Sequence, residues 1–342
     1  MLYITTRSKN DTYTSNRALT EDRAPDGGLF VPFKMPFYDK KQLETMAQSG
    51  ICETVATVLN AFFNVGLTAW DVECCIGKNA VRLHSAGHRV VLCDFWHNPK
   101  GSYAYIESIL YKKICGSEKL CDITEWAKIA IRISLLFGIY GMMYTDNVGG
   151  FDVAVTAGDF SGPMAVIYSR KMGLPVGKLI CACNENSAPW DLIQRGSLNT
   201  SLNTVQTLTP RLDIALPYGL ERLIFDAFGY TEVCAYLQAV QDKNSYRIPE
   251  DAKSNWDQDI FVYVVGKDRV KPLLSSVYRS NEIILDPYTA VSFGCLRDHR
   301  AKFGEGAHTL MFWDYSPVLD YPIVHAATGL NRVQIEDHIN RI

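Results

Sequence analysis

A glycine-containing loop, Ala157-Gly158-Asp159-Phe160-Ser161-Gly162, is the segment of this sequence best suited to chemistry. The apolar run before it, Phe151 to Thr156, is typical of a buried strand, and Pro163 suits the first turn of a following helix. Backbone N–H groups at such a strand–loop–helix junction bind anions, because they and the helix dipole point at the ligand. We therefore predict that Gly158 to Gly162 form a loop able to face a small anion.

No established catalytic or metal-binding motif accompanies this loop. The histidines lie without metal-ligand spacing, so no metal site is predicted, and no GxSxG phrase of a serine hydrolase occurs. Cys181-x-Cys183 lies in an apolar run, where buried thiols are expected. His97 suits either packing or a ligand contact, and Asn184-Glu185-Asn186 suits either a turn or a ligand contact at the end of a strand.

The elements that must position the loop alternate between strands and helices. Lys178 to Cys183 is predicted as the next strand, which places the loop in a βαβ unit with parallel strands. Asp286-Pro287 is predicted to cap a helix from about Tyr288 to Lys302, and His308 to Trp313 is predicted as a later strand. The fold class is therefore α/β, a parallel sheet with flanking helices, preceded by a small N-terminal helical module.

Composition excludes several classes of protein. The chain has 342 residues, of which 47% are hydrophobic, so it has enough apolar side chains for a core. Its net charge of −3 does not favour binding to nucleic acid or to an anionic membrane. The longest apolar run, about Ile133 to Tyr144, is too short to span a bilayer, and the N-terminus does not resemble a signal peptide. Ten cysteines then predict free thiols and a cytoplasmic location.

Several blocks of this sequence resemble the threonine synthase family, in the family's order. Near the N-terminus stand Tyr3-Ile4-Thr5-Thr6-Arg7 and Ala24-Pro25-Asp26-Gly27-Gly28-Leu29-Phe30-Val31-Pro32. The glycine loop, followed by Met172-Gly173-Leu174-Pro175 and Cys183-Asn184-Glu185-Asn186, is similar to the family's cofactor-phosphate segment. Later blocks are Leu220-Glu221-Arg222-Leu223-Ile224-Phe225 and Leu285-Asp286-Pro287-Tyr288-Thr289-Ala290-Val291. The resemblance implies a pyridoxal phosphate (PLP) enzyme of fold type II that converts phosphohomoserine and water to threonine and phosphate.

The sequence departs from the family at the lysine that binds PLP covalently. The resemblance places that lysine shortly after His97 and Pro99, where this chain has Ala104. An alanine has no amine with which to bind PLP or to carry the α-proton. Lys100 is a weak substitute candidate, while Lys112 and Lys113 are expected on the surface of the following helix.

A second departure is a gap where the family has a small α/β subdomain. Only 21 residues separate Ala104 from Trp126, so one subdomain is expected to be largely missing. Its absence would uncover apolar side chains on the helix of Trp126, Ile129, Ile133 and Phe137, and on the segment from Tyr103 to Tyr111. Such exposed patches mark interfaces, so self-association or a protein partner that covers the missing wall is expected. The alternative is that the N-terminal module folds inward and covers the gap.

The cofactor contacts implied by the resemblance are also altered. They fall on Gly158, Asp159, Phe160, Ser161 and Gly162 for the phosphate, and on Asp314 for the pyridine nitrogen. A carboxylate at Asp159 would repel a phosphate. An aspartate is a chemically sensible partner for a pyridinium, although a solvated loop acid is the alternative for Asp314. PLP is accordingly expected to be lost or weakly bound.

Two functions remain open from the sequence. The first is a degenerate, non-catalytic threonine synthase-like protein, with an N-terminal domain over 1–90 and a truncated α/β domain over 91–342, that serves as a partner or a small-ligand binder. The alternative is an active PLP-dependent threonine synthase or lyase with a relocated lysine.

Overall fold

The computed structural model describes residues 1–79, 81–97, 102–117, 122–144, 149–250 and 258–341. Lys100 therefore lies outside the described residues. The strands are Leu2–Thr5 (β1), Ser8–Thr14 (β2), Phe30–Pro32 (β3), Arg82–Ser85 (β4), Val90–Asp94 (β5), Phe151–Thr156 (β6), Val176–Cys183 (β7), Ser197–Asn199 (β8), Ser245–Arg247 (β9), Ile260–Val264 (β10) and His308–Trp313 (β11).

The helices flank these strands along the whole chain. They are Ser15–Thr20 (α1), Lys40–Ser49 (α2), Ile51–Phe63 (α3), Ala69–Ile76 (α4), Tyr103–Ile114 (α5), Glu125–Tyr144 (α6), Ser161–Lys171 (α7), Ala188–Trp190 (α8), Gly219–Phe228 (α9), Tyr230–Gln241 (α10), Lys267–Asn281 (α11), Pro287–Phe303 (α12), Tyr321–Thr328 (α13) and Arg332–Ile339 (α14). Short helical turns also occur at Asp191–Arg195, Pro210–Leu212 and Pro317–Asp320.

A six-stranded sheet forms the centre of the α/β core, in the order β10-β7-β6-β11-β5-β4. Neighbouring strands from β10 to β5 pair in parallel, and only the edge strand β4 is antiparallel to its neighbour. Because β6 and β11 are adjacent and parallel, their carboxyl ends meet at one edge of the sheet. The predicted fold class, an α/β protein with a parallel sheet between helices, is confirmed.

Alternating side chains of the sheet enter two different cores. In β6 and β7, Val153, Leu179 and Cys181 pack in the same core as α6 and α7. The intervening Ala154 and Ile180 pack in a second core with α11 and α12. This period of two is the geometry of a strand buried on both faces. Cys181 and Cys183 are buried thiols, as their apolar surroundings predicted.

The N-terminal module contains more strand than the sequence indicated. It combines α1 to α4 with an antiparallel sheet in the order β2-β1-β3. Elsewhere the predicted boundaries need small changes. Helix α7 begins at Ser161, so Pro163 is its third residue rather than its first. Strand β7 begins at Val176, two residues before the predicted start.

The expected exposed wall on α6 is wrong. Trp126, Ile129, Ile133 and Phe137 are all buried, because α2 and α3 of the N-terminal module pack against this helix. On α5, Ile106 and Leu110 are buried as well. Between α5 and α6 the described residues form no strand.

Helix α6 also corrects the expectation about membrane spans. It has 20 residues, and by length and hydropathy it could cross a bilayer. However, 83% of its most apolar window is buried inside the molecule, as in the core helix of a globular protein.

Candidate functional site

A cavity of about 250 Å³ lies at the carboxyl edge of the sheet, where β6 and β11 end. The N-terminal halves of α5 and α6 form one side of it, and the glycine loop forms another. The volume is slightly below the roughly 300–1,000 Å³ of most small-molecule pockets. Its polar and charged lining comprises Tyr103, Glu107, Lys128, Arg132, Thr156, Asp159, Arg211, Tyr288, Asp314 and Tyr315.

The glycine loop holds the carboxylate of Asp159 rather than presenting only free donors. Asp159 Oδ1 accepts hydrogen bonds from the backbone N–H of Ser161 (2.9 Å) and from its hydroxyl. Asp159 Oδ2 accepts from the Tyr218 hydroxyl (2.7 Å) and pairs with the Lys128 ammonium. Burial would raise the pKa of Asp159, but Arg132 and Lys128 hold it well below its ordinary value. The loop therefore carries its own paired anion.

A second buried ion pair crosses from α5 to α6. Arg132 Nε lies 2.5 Å from Glu107 Oε1, and Arg132 Nη1 donates to the Ser161 hydroxyl (2.8 Å). The guanidinium also stands over the Tyr103 ring, 5.5 Å from its centroid. Burial by itself lowers the pKa of Arg132, yet the Glu107 carboxylate raises it well above its ordinary value. These contacts tie α5, α6 and the glycine loop together around the cavity.

Asp314 is the cavity acid without a close partner. Its Oδ1 atom is inaccessible to solvent and has no hydrogen-bond partner among the described residues. Burial raises the pKa of Asp314 to about 6. A carboxyl group in this condition can accept a hydrogen bond from a ligand or, when protonated, donate one.

The position implied for the covalent lysine lies on the cavity wall. Ala104, at the start of α5, lines the cavity and brings no amine to it. Of the described lysines, Lys128 alone lines the cavity, and its ammonium is paired with Asp159. Lys112 and Lys113 border a different depression, where the Lys113 ammonium lies 2.7 Å from Asp71 Oδ1.

One rim of the cavity is built by the chain that leads into α9. The Arg211 guanidinium stacks on Tyr315, with 3.9 Å from its central carbon to the ring centroid, and lies near Tyr288. The amide of Asn184 donates to Asp213 Oδ1 (2.7 Å), and that of Asn186 donates to the Val205 carbonyl (2.8 Å). The two asparagines therefore act as ties that hold this segment over the end of β7.

The structure brings most, though not all, of the predicted site residues to one place. Gly158, Asp159, Gly162 and Asp314 line the cavity. Ser161 contributes through its hydrogen bonds to Asp159. In contrast, Phe160 is fully buried with a left-handed backbone (φ 71°) and packs in the core.

His97 lies outside the cavity lining. Its Nδ1 is 3.0 Å from Asp94 Oδ2, and its Nε2 is 3.1 Å from the Asn79 carbonyl. The Asp94 carboxylate also faces His84, at 3.3 Å. Burial would raise the pKa of Asp94, but its hydrogen bonds with both histidines lower it to about 2. These contacts assign His97 to packing between β5 and the end of the N-terminal module.

Sequence reasoning missed four charged residues of the site, namely Glu107, Lys128, Arg132 and Arg211. The available signal was a charge inside an otherwise apolar helix face: Glu107 is flanked by Ile106 and Leu110, and Arg132 by Ile129 and Ile133. A charge at a core position of an amphipathic helix is expected to have a buried partner. Neither helix by itself indicates which partner that is.

Comparison with known proteins shows what this chain is similar to. Residues 2–79 match the family described as Threonine synthase N terminus. The chain is 28% identical over 147 residues to human Threonine synthase-like 1, which is 41% of this chain and 19% of that protein. It is 34% identical over 107 residues to the threonine synthase of Methylobacillus glycogenes, 31% of this chain and 22% of that enzyme. The matched part therefore spans only about a fifth of these two relatives.

Solved structures share this fold over nearly the whole chain. A PLP-bound threonine synthase from Brucella melitensis superposes with a TM-score of 0.84 at 18% identity, covering 96% of this chain and 92% of that one. Threonine synthase from yeast gives a TM-score of 0.83 at 15% identity, with 95% and 89% coverage. At these identities the likeness establishes the fold. Together with the N-terminal match and the sequence relatives, it confirms the resemblance found in the sequence.

Proposed function

We propose that this divergent relative of the threonine synthases is a non-catalytic, cytoplasmic protein that binds a small ligand in the candidate cavity. The observation that carries the proposal is Ala104, which lines the cavity at the position implied for the covalent lysine. Without an amine there, the chain lacks the group that binds PLP covalently and moves the α-proton. The buried free thiols of Cys93, Cys181 and Cys295 support a reducing compartment.

The cavity lining suits the pyridine nitrogen of PLP but not its phosphate group. Asp314, with a buried and unpartnered oxygen, is suited to a pyridinium N–H. At the glycine loop, however, Ser161 and Lys128 already bind the carboxylate of Asp159, so a phosphate would compete with an internal anion. Since both the covalent anchor and the phosphate contacts fail, we infer that PLP is lost or weakly bound.

The alternative function is a working PLP-dependent lyase with a relocated lysine. Lys100 cannot be placed because it lies outside the described residues. Lys128 is favoured by one observation, its position on the cavity wall. Its ammonium would first have to leave Asp159, which would cost that carboxylate its closest cation, about 1–3 kcal/mol for a hydrogen bond to a charged group. That cost makes the non-catalytic function the better supported of the two.

Borohydride reduction in the presence of PLP, followed by peptide mass mapping, separates the two functions. The native chain should show only the uniform background that Lys112 and Lys113 report. The Ala104→Lys variant should show a single strongly modified lysine at position 104, because the substitution returns an amine to the cavity wall. Release of phosphate from phosphohomoserine, measured on the same native sample, should be absent.

Selective modification of Lys100 or Lys128 in the native chain, together with phosphate release, would overturn the proposal in favour of the alternative. Lys128→Arg is the matched variant for that outcome. It keeps the positive charge beside Asp159 while it removes the amine.

A further inference from the structure

We propose that a second cavity, between the N-terminal module and the α/β core, binds a small quaternary ammonium ion. This cavity has a volume of about 660 Å³. We call it the aromatic cavity, because four of its lining side chains are the rings of Phe37, Tyr38, Tyr140 and Tyr144. Asp39 and Glu44 add carboxylates to the same lining, and Lys40 adds an ammonium.

Two different parts of the fold hold these rings in place. Tyr140 and Tyr144 lie one turn apart at the end of α6, with ring centroids 5.7 Å apart and an interplanar angle of 59°. The segment of Phe37 and Tyr38 is fastened to the core by the Tyr38 N–H, which donates to the Met172 carbonyl (2.8 Å). The rings are therefore fixed by the docking of the N-terminal module onto the core, and the cavity exists only at that junction.

The exposure of Phe37 is the feature that packing does not explain. Its side chain is 67% exposed although it borders a cavity with other aromatic rings. A partly exposed aromatic wall of this kind is typical of a binding site rather than of a closed core.

The charged side chains that line the aromatic cavity favour the binding of a cation. Glu44 accepts a hydrogen bond from the Tyr144 hydroxyl at 3.2 Å, and Asp39 caps α2 by accepting from the Gln42 N–H at 2.8 Å. Neither carboxylate has an ion-pair partner in the part of the chain that the structure describes. Among the described residues of the lining, two acids against Lys40 leave a net negative charge.

This combination selects among cations. The faces of aromatic rings attract positive charge through their quadrupole, and carboxylates nearby strengthen the attraction. A metal ion or a primary ammonium would lose strong hydration on entering between rings. A quaternary ammonium ion carries its charge under methyl groups, which pack against the rings and lose little hydration. The aromatic cavity is therefore suited to choline-like head groups.

The aromatic cavity is separate from the candidate cavity at Asp314. Lys128 lies on the latter, whereas Tyr140 and Tyr144 follow it by 12 and 16 residues on the same helix. At the rise of an α-helix this is a separation of roughly 18 to 24 Å. The inference therefore goes beyond the proposed function and does not depend on it.

The test is an NMR titration of the full chain with choline and with its uncharged isostere, 3,3-dimethyl-1-butanol. We expect saturable binding of choline at millimolar concentration and binding of the isostere weaker by roughly tenfold, the effect of removing the cation–ring attraction. Glu44→Gln and Phe37→Ala should each weaken choline binding by about threefold to tenfold. Phe33→Ala is the matched control, because Phe33 is also 67% exposed but does not line the cavity.

Equal binding of choline and the isostere would overturn the proposal, as would an absence of choline binding at 50-fold above the expected range, about 50 mM. An equal loss of binding in Phe33→Ala and Phe37→Ala would also contradict it. Because Phe33 and Phe37 are largely exposed, neither substitution threatens the fold. Asp314→Asn should leave choline binding unchanged. Choline binding therefore tests the aromatic cavity independently of the proposed function of the candidate cavity.

Discussion

The Asp159 carboxylate is the residue that decides what the glycine loop can bind. The sequence suggested that it would repel a phosphate, and the structure adds that its charge is compensated by Lys128 and Arg132. The loop thus has cationic groups and an N–H donor, all of which are already engaged with an internal anion. Removal of that anion should convert the loop into an external anion site.

We predict that Asp159→Asn binds inorganic phosphate at least about tenfold more tightly than the native chain, because one negative charge at contact distance is removed and Lys128 is released. Isothermal titration with phosphate measures the change. Asp226→Asn is the matched control, since it releases Lys171 from a comparable pair (2.6 Å) outside the cavity. Identical affinities for all three proteins would show that the loop is only a turn.

Asp314 should make stability depend on pH. Its pKa in the folded chain is about 6, above the ordinary 3.8. The carboxyl group is therefore protonated in both states only below about pH 3. As the pH rises, the folded state resists ionisation, so the group lowers the free energy of unfolding through pH 4 to 6 and keeps that full effect above pH 6.

We expect Asp314→Asn to raise the free energy of unfolding by about 1–3 kcal/mol at pH 8 and to have little effect at pH 4. Urea denaturation at the two pH values measures this, with the surface variant Asp337→Asn as the control. The same gain at both pH values would assign the effect to packing and not to ionisation.

At the scale of elements, the contact between the N-terminal module and the βαβ unit depends on one glycine. Gly173 follows α7 with φ +102°, and a Cβ built there would lie 2.2 Å from the carbonyl oxygen of Tyr38. Only a residue without a Cβ permits this approach in that backbone conformation. The same contact holds one wall of the aromatic cavity, so the proposed binding site depends on the docking of the N-terminal module against Gly173.

Gly173→Ala should lower the free energy of unfolding by about 2–4 kcal/mol, because it adds a clash with backbone to the strain of a positive φ. Gly329→Ala isolates the strain, since Gly329 is in the left-handed region (φ +77°) with no atom within 4 Å of a built Cβ. That control should lose only about 1 kcal/mol. Chemical denaturation compares the two variants, and equal losses would refute the clash.

At the scale of the whole molecule, the N-terminal module takes the place of the expected partner. The apolar residues of α6 that suggested an uncovered wall are buried beneath α2 and α3. Large exposed apolar side chains lie elsewhere, among them Phe33 and Trp70. Association with a partner stays an untested prediction, and the α6 part of the surface first named for it is buried, whereas Tyr105 on α5 remains 39% exposed.

We therefore expect the full chain to be a monomer that does not bind a hydrophobic dye at neutral pH, because its largest apolar helix is covered from within. Size exclusion with light scattering, and dye fluorescence on the same fractions, measure this. A stable dimer would contradict the expectation and would direct attention to the surfaces of Phe33 and Trp70.

The sequence by itself determined the α/β class, the βαβ unit around the glycine loop and the absence of an amine at Ala104, the position that the resemblance implies for the covalent lysine, whereas strand β10 and helix α11 were not predicted. Periodicity reports which side of an element is buried, and the type of one residue reports whether it carries an amine. These are local properties. For that reason β6 and β11 were predicted with their observed bounds, and the glycine loop was placed correctly between a strand and a helix.

Only the tertiary structure determined which charged side chains form ion pairs. Lys128 lies 31 residues from Asp159, and Glu107 lies 25 residues from Arg132, so no local pattern links either pair. Their pairing depends on how α5 and α6 pack beside the end of β6. The tertiary structure likewise determines that α2 and α3 cover α6. The pattern of an amphipathic helix predicts that one face is buried, but it does not specify which surface packs against that face.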